Sequence, residues 1–295
     1  MNAAHARGLV VAAQRRHFTV ELDDGDRVAC LLKGRTTQIA CGDRVEVARA
    51  AGGGVIEAIE PRATLVYRSD AFNEKLIAAN ATQIAGVVAP DVNVDLELVH
   101  RWMIAAEADG CRFLVVANKR DLPSFAALRE RLAPVGALGY PIVDCSAQAD
   151  VAPLLPWLVD QKTVLVGQSG MGKSTIVNAL APEAAARVGE VSQALRAGRH
   201  TTSSATLYRA PPLGAEGWIV DSPGMKAFGL AHVGASALER AFVELRPYLG
   251  QCRFRDCRHD QEPGCAVLAA VESGDVQAFR LDLLHTLQRE ALPSR

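Results

Sequence analysis

Apolar positions fall into three successive patterns along the chain. Up to about residue 62 they form short runs, GLVVAA, HFTVEL, RVACLL, DRVEVAR and GVIEAIE, parted by DDGD, CGD and AGGG. Runs of this length, rich in Val, Ile and Leu and bounded by Asp/Gly turns, predict strands. Five of them in succession suit a small barrel, with the OB-fold as the leading arrangement. A plain β-barrel with no ligand fits the same pattern. Pro61 and Arg62 close the segment.

From 63 to 230 the pattern alternates. TQIAGVVA, RFLVVAN, YPIVDCS, KTVLVG and GWIVD are nearly continuous apolar strands with helical stretches between them. In DLELVHRWMIAAEADG, Asp95 is placed to cap the helix start and Gly110 lies just past its end. Such alternation predicts a mostly parallel sheet covered on both faces. From 231 to 295 helical patterns dominate, in SALERAFVELRPYLG and DVQAFRLDLLHTLQRE, with a Cys/His-rich stretch between them. The expected organisation is multidomain α/β: a barrel over 1–62, an α/β domain over 63–230 and a helical domain over 231–295.

Composition narrows the class of partner. A formal net charge of −1 over 295 residues excludes a uniformly basic nucleic-acid binder, so any basic surface is local. The first residues show neither an apolar signal core nor a cleavage site, and no run approaches a membrane span. A cytoplasmic protein is expected, with its seven cysteines as thiols or metal ligands.

GQSGMGKST (Gly167, Gln168, Ser169, Gly170, Met171, Gly172, Lys173, Ser174, Thr175) fits G-x-x-x-x-G-K-[ST] between a strand and a helical run. Its glycines let backbone N–H groups curl around phosphate oxygens, and the helix N-terminus adds a favourable dipole. Lys173 would reach the β- and γ-phosphates, and the Ser174 hydroxyl would meet Mg²⁺. DSPG follows the strand GWIV; Asp221 can hold Mg²⁺ and the Gly224 N–H can meet the γ-phosphate. Between them AGRHTTSS supplies a switch threonine for Mg²⁺, Thr202, with Thr201 the near alternative.

NKRD (Asn118, Lys119, Arg120, Asp121) ends the apolar run RFLVVA. Asp121 can accept both guanine N1–H and N2–H₂, a donor pair that adenine lacks. Asn118 would help hold the base and its neighbouring loop, and Lys119 would lay its stem along the base. CSA, containing Ser146 and Ala147, suits the loop whose Ala147 N–H meets guanine O6. The base-reading motif thus precedes the phosphate loop, a circular permutation of the usual GTPase order. The segment after DSPG then leads straight into the C-terminal region, so nucleotide state can pull on it directly.

CRFRDCRHDQEPGC supplies Cys252, Cys257, His259 and Cys265 at C-x4-C-x-H-x5-C spacing. Three thiolates and an imidazole form a closed set that suits structural Zn²⁺. Arg246, Arg253, Arg255 and Arg258 crowd this segment, and Arg187, Arg196, Arg199 and Arg209 flank the threonine loop. These are local basic patches fit for phosphate contacts, or a solvated face. Arg15, Arg16, His17 and Phe18 are further candidates on the barrel.

Barrel, NKRD, GQSGMGKST, GRHTT, DSPG and the Cys/His cluster together resemble the RsgA (YjeQ, EngC) family of circularly permuted GTPases. The resemblance covers nearly the whole chain. It implies an OB-fold, a permuted GTPase domain and a helical zinc domain. It also implies GTP hydrolysis to GDP stimulated by the small (30S) ribosomal subunit during late maturation, with ribosomal RNA as partner and the protein a monomer. Two alternatives stand beside it, an RNA- and zinc-binding assembly module with a vestigial nucleotide site and a permuted GTPase acting on another ribosomal particle. Ras-like enzymes orient the attacking water with a Gln after the DxxG glycine. Here that position is Met225, so slow hydrolysis by the isolated protein is expected. His200, which the resembling family also carries in GRHTT, is the internal candidate for a catalytic group, or else a loop residue that only contacts the ribosome.

Overall fold

The structure is a computed structural model that describes residues 5–14, 17–33, 38–50, 52–69, 74–182, 205–224 and 228–291. The first five strands are β1 (His5–Gln14), β2 (His17–Leu22), β3 (Arg27–Leu32), β4 (Arg44–Ala50) and β5 (Gly53–Ile59). They pair in the order β1-β2-β3-β5-β4, and β4 returns to β1, which closes the barrel. Only the β3–β5 pairing is parallel. This is the five-stranded OB-like arrangement predicted from the turn spacing. Alternation along β2 turns Phe18, Val20 and Leu22 inward against Val10, Cys30, Val45, Val47 and Ile56. A register shift between Val10 and Ala12 bulges β1, which bends a strand as barrel closure requires.

A hairpin of β6 (Leu65–Ser69) and β7 (Glu74–Ala79) follows. The α/β layer is then built from β8 (Gln83–Val88), α1 (Leu96–Ala108), β9 (Arg112–Ala117), α2 (Phe125–Ala137), β10 (Ile142–Asp144), α3 (Leu155–Leu158), β11 (Lys162–Val166), α4 (Lys173–Leu180), β12 (Ala205–Tyr208) and β13 (Trp218–Asp221). β10, β9, β8, β11 and β13 lie side by side and all pair in parallel. Every residue of β8 is buried, as expected of a strand covered on both faces. Strand order reverses between β8 and β11, because the chain moves outward to β9 and β10 and then returns to β11. The crevice at the carboxyl ends of two such strands is where open α/β sheets bind ligands.

β12 runs antiparallel to β13 and also pairs with β1, so barrel and parallel sheet form one eleven-stranded sheet. Helix α1 starts as its sequence predicts. Asp95 Oδ1 accepts from the N–H groups of Glu97 (3.0 Å) and Leu98 (3.4 Å), satisfying donors that a helix start leaves orphaned.

The C-terminal region contains α5 (Ala235–Ala241), α6 (Ala266–Ser273) and α7 (Ala278–Ala291). SALERAFVELRPYLG is not one helix. It breaks at Phe242, whose backbone is extended, before a short 3-10 turn over Val243–Leu245. The break has a tertiary cause. Phe242 is fully buried under the Arg280 guanidinium, 4.4 Å from its ring centroid. Arg280 is itself buried, paired with Glu244 (2.5 Å) and 3.2 Å from His100 Nδ1 on α1. Arg101 adds two 2.7 Å contacts to Glu290, and Arg246 meets Glu107 at 2.5 Å. These pairs fasten the C-terminal helices to α1. Among the described residues no helix is long and apolar enough to cross a membrane.

Candidate functional site

Every motif singled out in the α/β layer that lies in the described residues stands at the carboxyl end of a parallel strand. β11 runs into the glycine-rich loop and α4, β9 into NKRD, β10 into CSA, and β13 ends on Asp221. The glycine-rich loop is shaped by its backbone. Gly172 has φ 95°, and a Cβ there would lie 2.2 Å from Asn118 Nδ2, so only glycine fits. Lys173 is buried, and its Nζ donates to Gly167 O (2.8 Å) and Gln168 O (3.1 Å). Burial lowers the Lys173 pKa, against the opposing pull of Asp221.

Ser174 Oγ donates to Asp221 Oδ2 at 2.7 Å, which brings two residues 47 apart in sequence together. Asp221 is buried and its Oδ1 has no hydrogen-bond partner. Burial raises its pKa, with Ser174 and Lys173 acting in the opposite direction. A buried carboxylate with an orphaned oxygen beside a hydroxyl is a donor set that a hard divalent cation satisfies. Gly224 packs on the same loop. A Cβ there would lie 2.9 Å from Ser169 N, so the end of DSPG approaches the phosphate loop closely.

Beside NKRD lies a cavity lined by Asn118, Lys119, Asp121, Ser146, Ala147, Gly172 and Thr175, among others. Asn118 is the buried hub. Its Nδ2 donates to Met171 O (3.0 Å), and its Oδ1 accepts from Ala147 N–H (2.9 Å). One side chain thus ties the CSA loop to the phosphate loop. Met171 is buried as well, with its sulfur 3.1 Å from the Ala89 N–H. Ser146 Oγ donates to Asp121 Oδ1 and holds that carboxyl below the usual carboxylate range. The shift favours the ionised carboxylate, a form that only accepts hydrogen bonds. Lys119, at φ 61°, bridges Asp91 Oδ2 (2.6 Å) and Gly170 O (2.8 Å). Arg120 points its side chain to solvent, while its N–H donates to Cys145 O (3.0 Å). Asp91 was not singled out from the sequence. Its only signal there is a place just beyond the apolar run TQIAGVVA.

Cys252, Cys257, His259 and Cys265 converge with all ligand atoms within 4.8 Å of one another. Sulfur at about 2.3 Å and nitrogen at about 2.0–2.1 Å in a tetrahedron put sulfur pairs about 3.8 Å apart and sulfur–nitrogen pairs about 3.6 Å apart. Cys252 and Cys265 sulfurs are 3.8 Å apart, and His259 Nδ1 lies 3.6 Å and 3.3 Å from them. The donor set therefore fits a metal ion. Burial lowers the His259 pKa, which favours the neutral ligand form. The other four cysteines are buried apart from this set.

His200, Thr201, Thr202, Met225, Arg15, Arg16, Arg187, Arg196 and Arg199 lie outside the described residues. Of the arginines placed, Arg253, Arg255 and Arg258 are exposed beside the Cys/His set, whereas Arg246 is engaged by Glu107. Arg209 is exposed and 3.7 Å from Glu21. His17 is exposed, but Phe18 is a barrel core residue rather than a surface contact. Strand alternation sends adjacent residues to opposite faces.

A family model described as RsgA GTPase matches residues 59–231. The small ribosomal subunit biogenesis GTPase RsgA of Nitrosospira multiformis is 49% identical over 284 residues, covering 95% of this chain and 90% of that protein. Its namesake from Nitrosomonas europaea is 45% identical over 285 residues, with the same two coverages of 95% and 90%. The crystal structure of YjeQ from Thermotoga maritima superposes with a TM-score of 0.73 at 29% identity, covering 99% of this chain and 100% of that one. YloQ, a circularly permuted GTPase, shares the fold at a TM-score of 0.68 and 22% identity, covering 98% of this chain and 96% of its own. Family model, relatives and permuted strand-end loops agree, and the chain belongs to the RsgA GTPase family.

Proposed function

We propose that this protein is a GTP hydrolase that binds the small ribosomal subunit, assists its late maturation and is stimulated by it. The observation that carries the reading is the meeting of Asn118, Ala147 and Met171 through one buried side chain. That contact joins a guanine-reading loop pair to a phosphate loop in permuted order. The vestigial-site alternative is disfavoured by the intact Lys173, Ser174 and Asp221.

Asp121 accepts guanine N1–H and N2–H₂ while Ser146 holds its carboxylate in place, and the Ala147 N–H leaves Asn118 Oδ1 to meet O6. Gly167, Gln168, Ser169, Gly170, Met171 and Gly172 wrap the phosphates. Lys173 leaves its loop carbonyls for the β- and γ-oxygens, and Thr175 and Arg120 border the nucleotide. Ser174, Asp221 and Thr202 would hold Mg²⁺, which would neutralise charge developing on the β- and γ-phosphates. The Gly224 N–H follows the γ-phosphate. His200 positions the attacking water. Phosphoryl transfer depends mostly on positioning and charge stabilisation, so a partner that orders the threonine loop raises turnover.

In the C-terminal region Cys252, Cys257, His259 and Cys265 hold a structural zinc ion. With four protein ligands the site has no open position for catalysis. Exposed Arg253, Arg255 and Arg258 beside it meet ribosomal RNA phosphates, in a contact that weakens as salt rises. The domains divide near residues 62 and 230, and the protein acts as a cytoplasmic monomer.

GTP turnover alone, with purified small subunits and with large subunits tests the reading. Slow turnover alone, a marked rise with small subunits and no ATP hydrolysis are expected. Stimulation by large subunits only would transfer the assignment to that particle.

A further inference from the structure

We infer that Asp91 is a specificity residue of the nucleotide site, recognising the ribose hydroxyls and positioning Lys119. The inference rests on the reading of this crevice as a guanine nucleotide site. Asp91 follows β8, the strand that flanks the order reversal opposite β11 and its phosphate loop. Its loop packs on the phosphate loop at separate points. The Ala89 N–H meets Met171 sulfur at 3.1 Å, and a Cβ on Gly170 would lie 3.4 Å from Val92 Cγ2.

The placement follows from Lys119. Its backbone belongs to the base-reading motif, and its ammonium reaches Gly170 O in the phosphate loop at 2.8 Å. A nucleotide with its base on Asp121 and its phosphates on that loop must pass its ribose along this span. Asp91 Oδ2 sits at the far end of the span, 2.6 Å from Lys119 Nζ, and Asp91 lines the same cavity as Asp121, Ser146 and Thr175. The exposed carboxylate gives one oxygen to Lys119 and keeps the other for the sugar. A carboxylate at a strand end that accepts from a ribose hydroxyl is also how dinucleotide folds read the sugar. The ion pair fixes the Lys119 ammonium beside Gly170 O, on a residue whose backbone is in the left-handed conformation that non-glycine residues adopt rarely.

The test measures GDP, 2′-deoxy-GDP and 3′-deoxy-GDP binding by calorimetry, for the full chain and for Asp91→Ala and Asp91→Asn. Wild type should bind at least one deoxy analogue roughly tenfold to a hundredfold more weakly than GDP, the loss expected for one hydrogen bond to a charged group. Asp91→Ala should bind GDP more weakly and no longer distinguish it from that analogue. Asp91→Asn, which keeps an acceptor but not the charge, should recover part of the discrimination, which a merely structural role would not produce. Equal discrimination in wild type and Asp91→Ala, or wild-type GDP affinity in that variant, would overturn the inference. Failure of wild type to bind GDP would instead sink the guanine reading beneath it.

Discussion

Asn118→Ala is the sharpest perturbation of the nucleotide site, because one side chain serves two loops. Truncation leaves Met171 O without its 3.0 Å donor and the Ala147 N–H without its 2.9 Å acceptor. A buried polar group left unsatisfied costs about 1–3 kcal/mol, so the two together cost about 2–6 kcal/mol. The lower end applies to the empty protein, where water entering the cavity can reach Ala147. A loss near 2 kcal/mol lowers Tm by roughly 4–8 °C at about 2–4 °C per kcal/mol in a chain of this class. The remainder should appear as weaker GDP binding, because the loop carrying Ala147 is no longer tied to the phosphate loop. Calorimetric melts with and without GDP separate the two parts. Asn118→Asp keeps the acceptor but sets a carboxylate against Met171 O, so it should not rescue. An Asn118→Ala protein that melts and binds GDP as wild type does would refute the clamp.

Three further outcomes are expected. Cys257→Ser should lose bound metal and expose the segment 246–270 to protease, while the GTPase core stays folded; full metal content would show the ligand set to be wrong. His200→Ala should keep GTP and small-subunit binding but lose most stimulated hydrolysis, and wild-type stimulation in that variant would exclude the histidine. His100 is held down to about 3 by burial and by Arg280, against about 6.5 when unfolded. The unfolded chain therefore binds its proton first, and stability present above pH 6.5 is lost as pH falls towards 3. By pH 4 the loss is on the order of 3 kcal/mol at 1.36 kcal/mol per unit. Denaturant melts from pH 7 to 4 should show this decline, and His100→Asn, which keeps an acceptor for Arg280, should flatten it; an unchanged slope would remove His100 as its source.

Local chemistry explains what the sequence revealed. The strands leading to the nucleotide loops are nearly continuous apolar runs because both faces are covered, and glycine, Lys173 and Asp121 follow where backbone and charge must meet a ligand. The Cys/His set was legible because its four ligands lie within fourteen residues. Features that depend on distant partners stayed hidden. Phe242 interrupts a helical pattern where its ring is buried under Arg280, 38 positions later, a partner that the local pattern does not contain. Asp91 is one acidic residue in a turn, and only the Lys119 contact distinguishes it. The ATLY strand β12 is short and follows the polar sequence HTTSS, so its role as the joint between barrel and sheet appears only through its ladder with β1.

That joint changes how the permuted order is understood. Opening the GTPase sequence after DSPG suggests that nucleotide state acts on the C-terminal region alone, through the chain. The ladder supplies a second route. Thr206 of β12 stands opposite Asp221 on one side and Ala12 of β1 on the other. The Asp221 carboxylate and the barrel are thus separated by a single residue of a three-strand row. Cys41, in the barrel segment, reinforces the joint with its thiol 3.2 Å from Ala205 O and a bridge to Ala78. On the other flank, Arg101, Glu107 and His100 of α1 hold α7 and the segment after α5 by charged contacts. The GTPase layer therefore grips the barrel by backbone hydrogen bonds, and the C-terminal region by these charged contacts beside an apolar core that the two share. Ion pairs that are part exposed are screened by salt, whereas a buried ladder is not. Raised ionic strength should accordingly speed exchange beside the part-exposed Arg101–Glu290 and Arg246–Glu107 pairs and leave the β1–β12 ladder unchanged, a difference that hydrogen exchange at low and high salt can follow residue by residue.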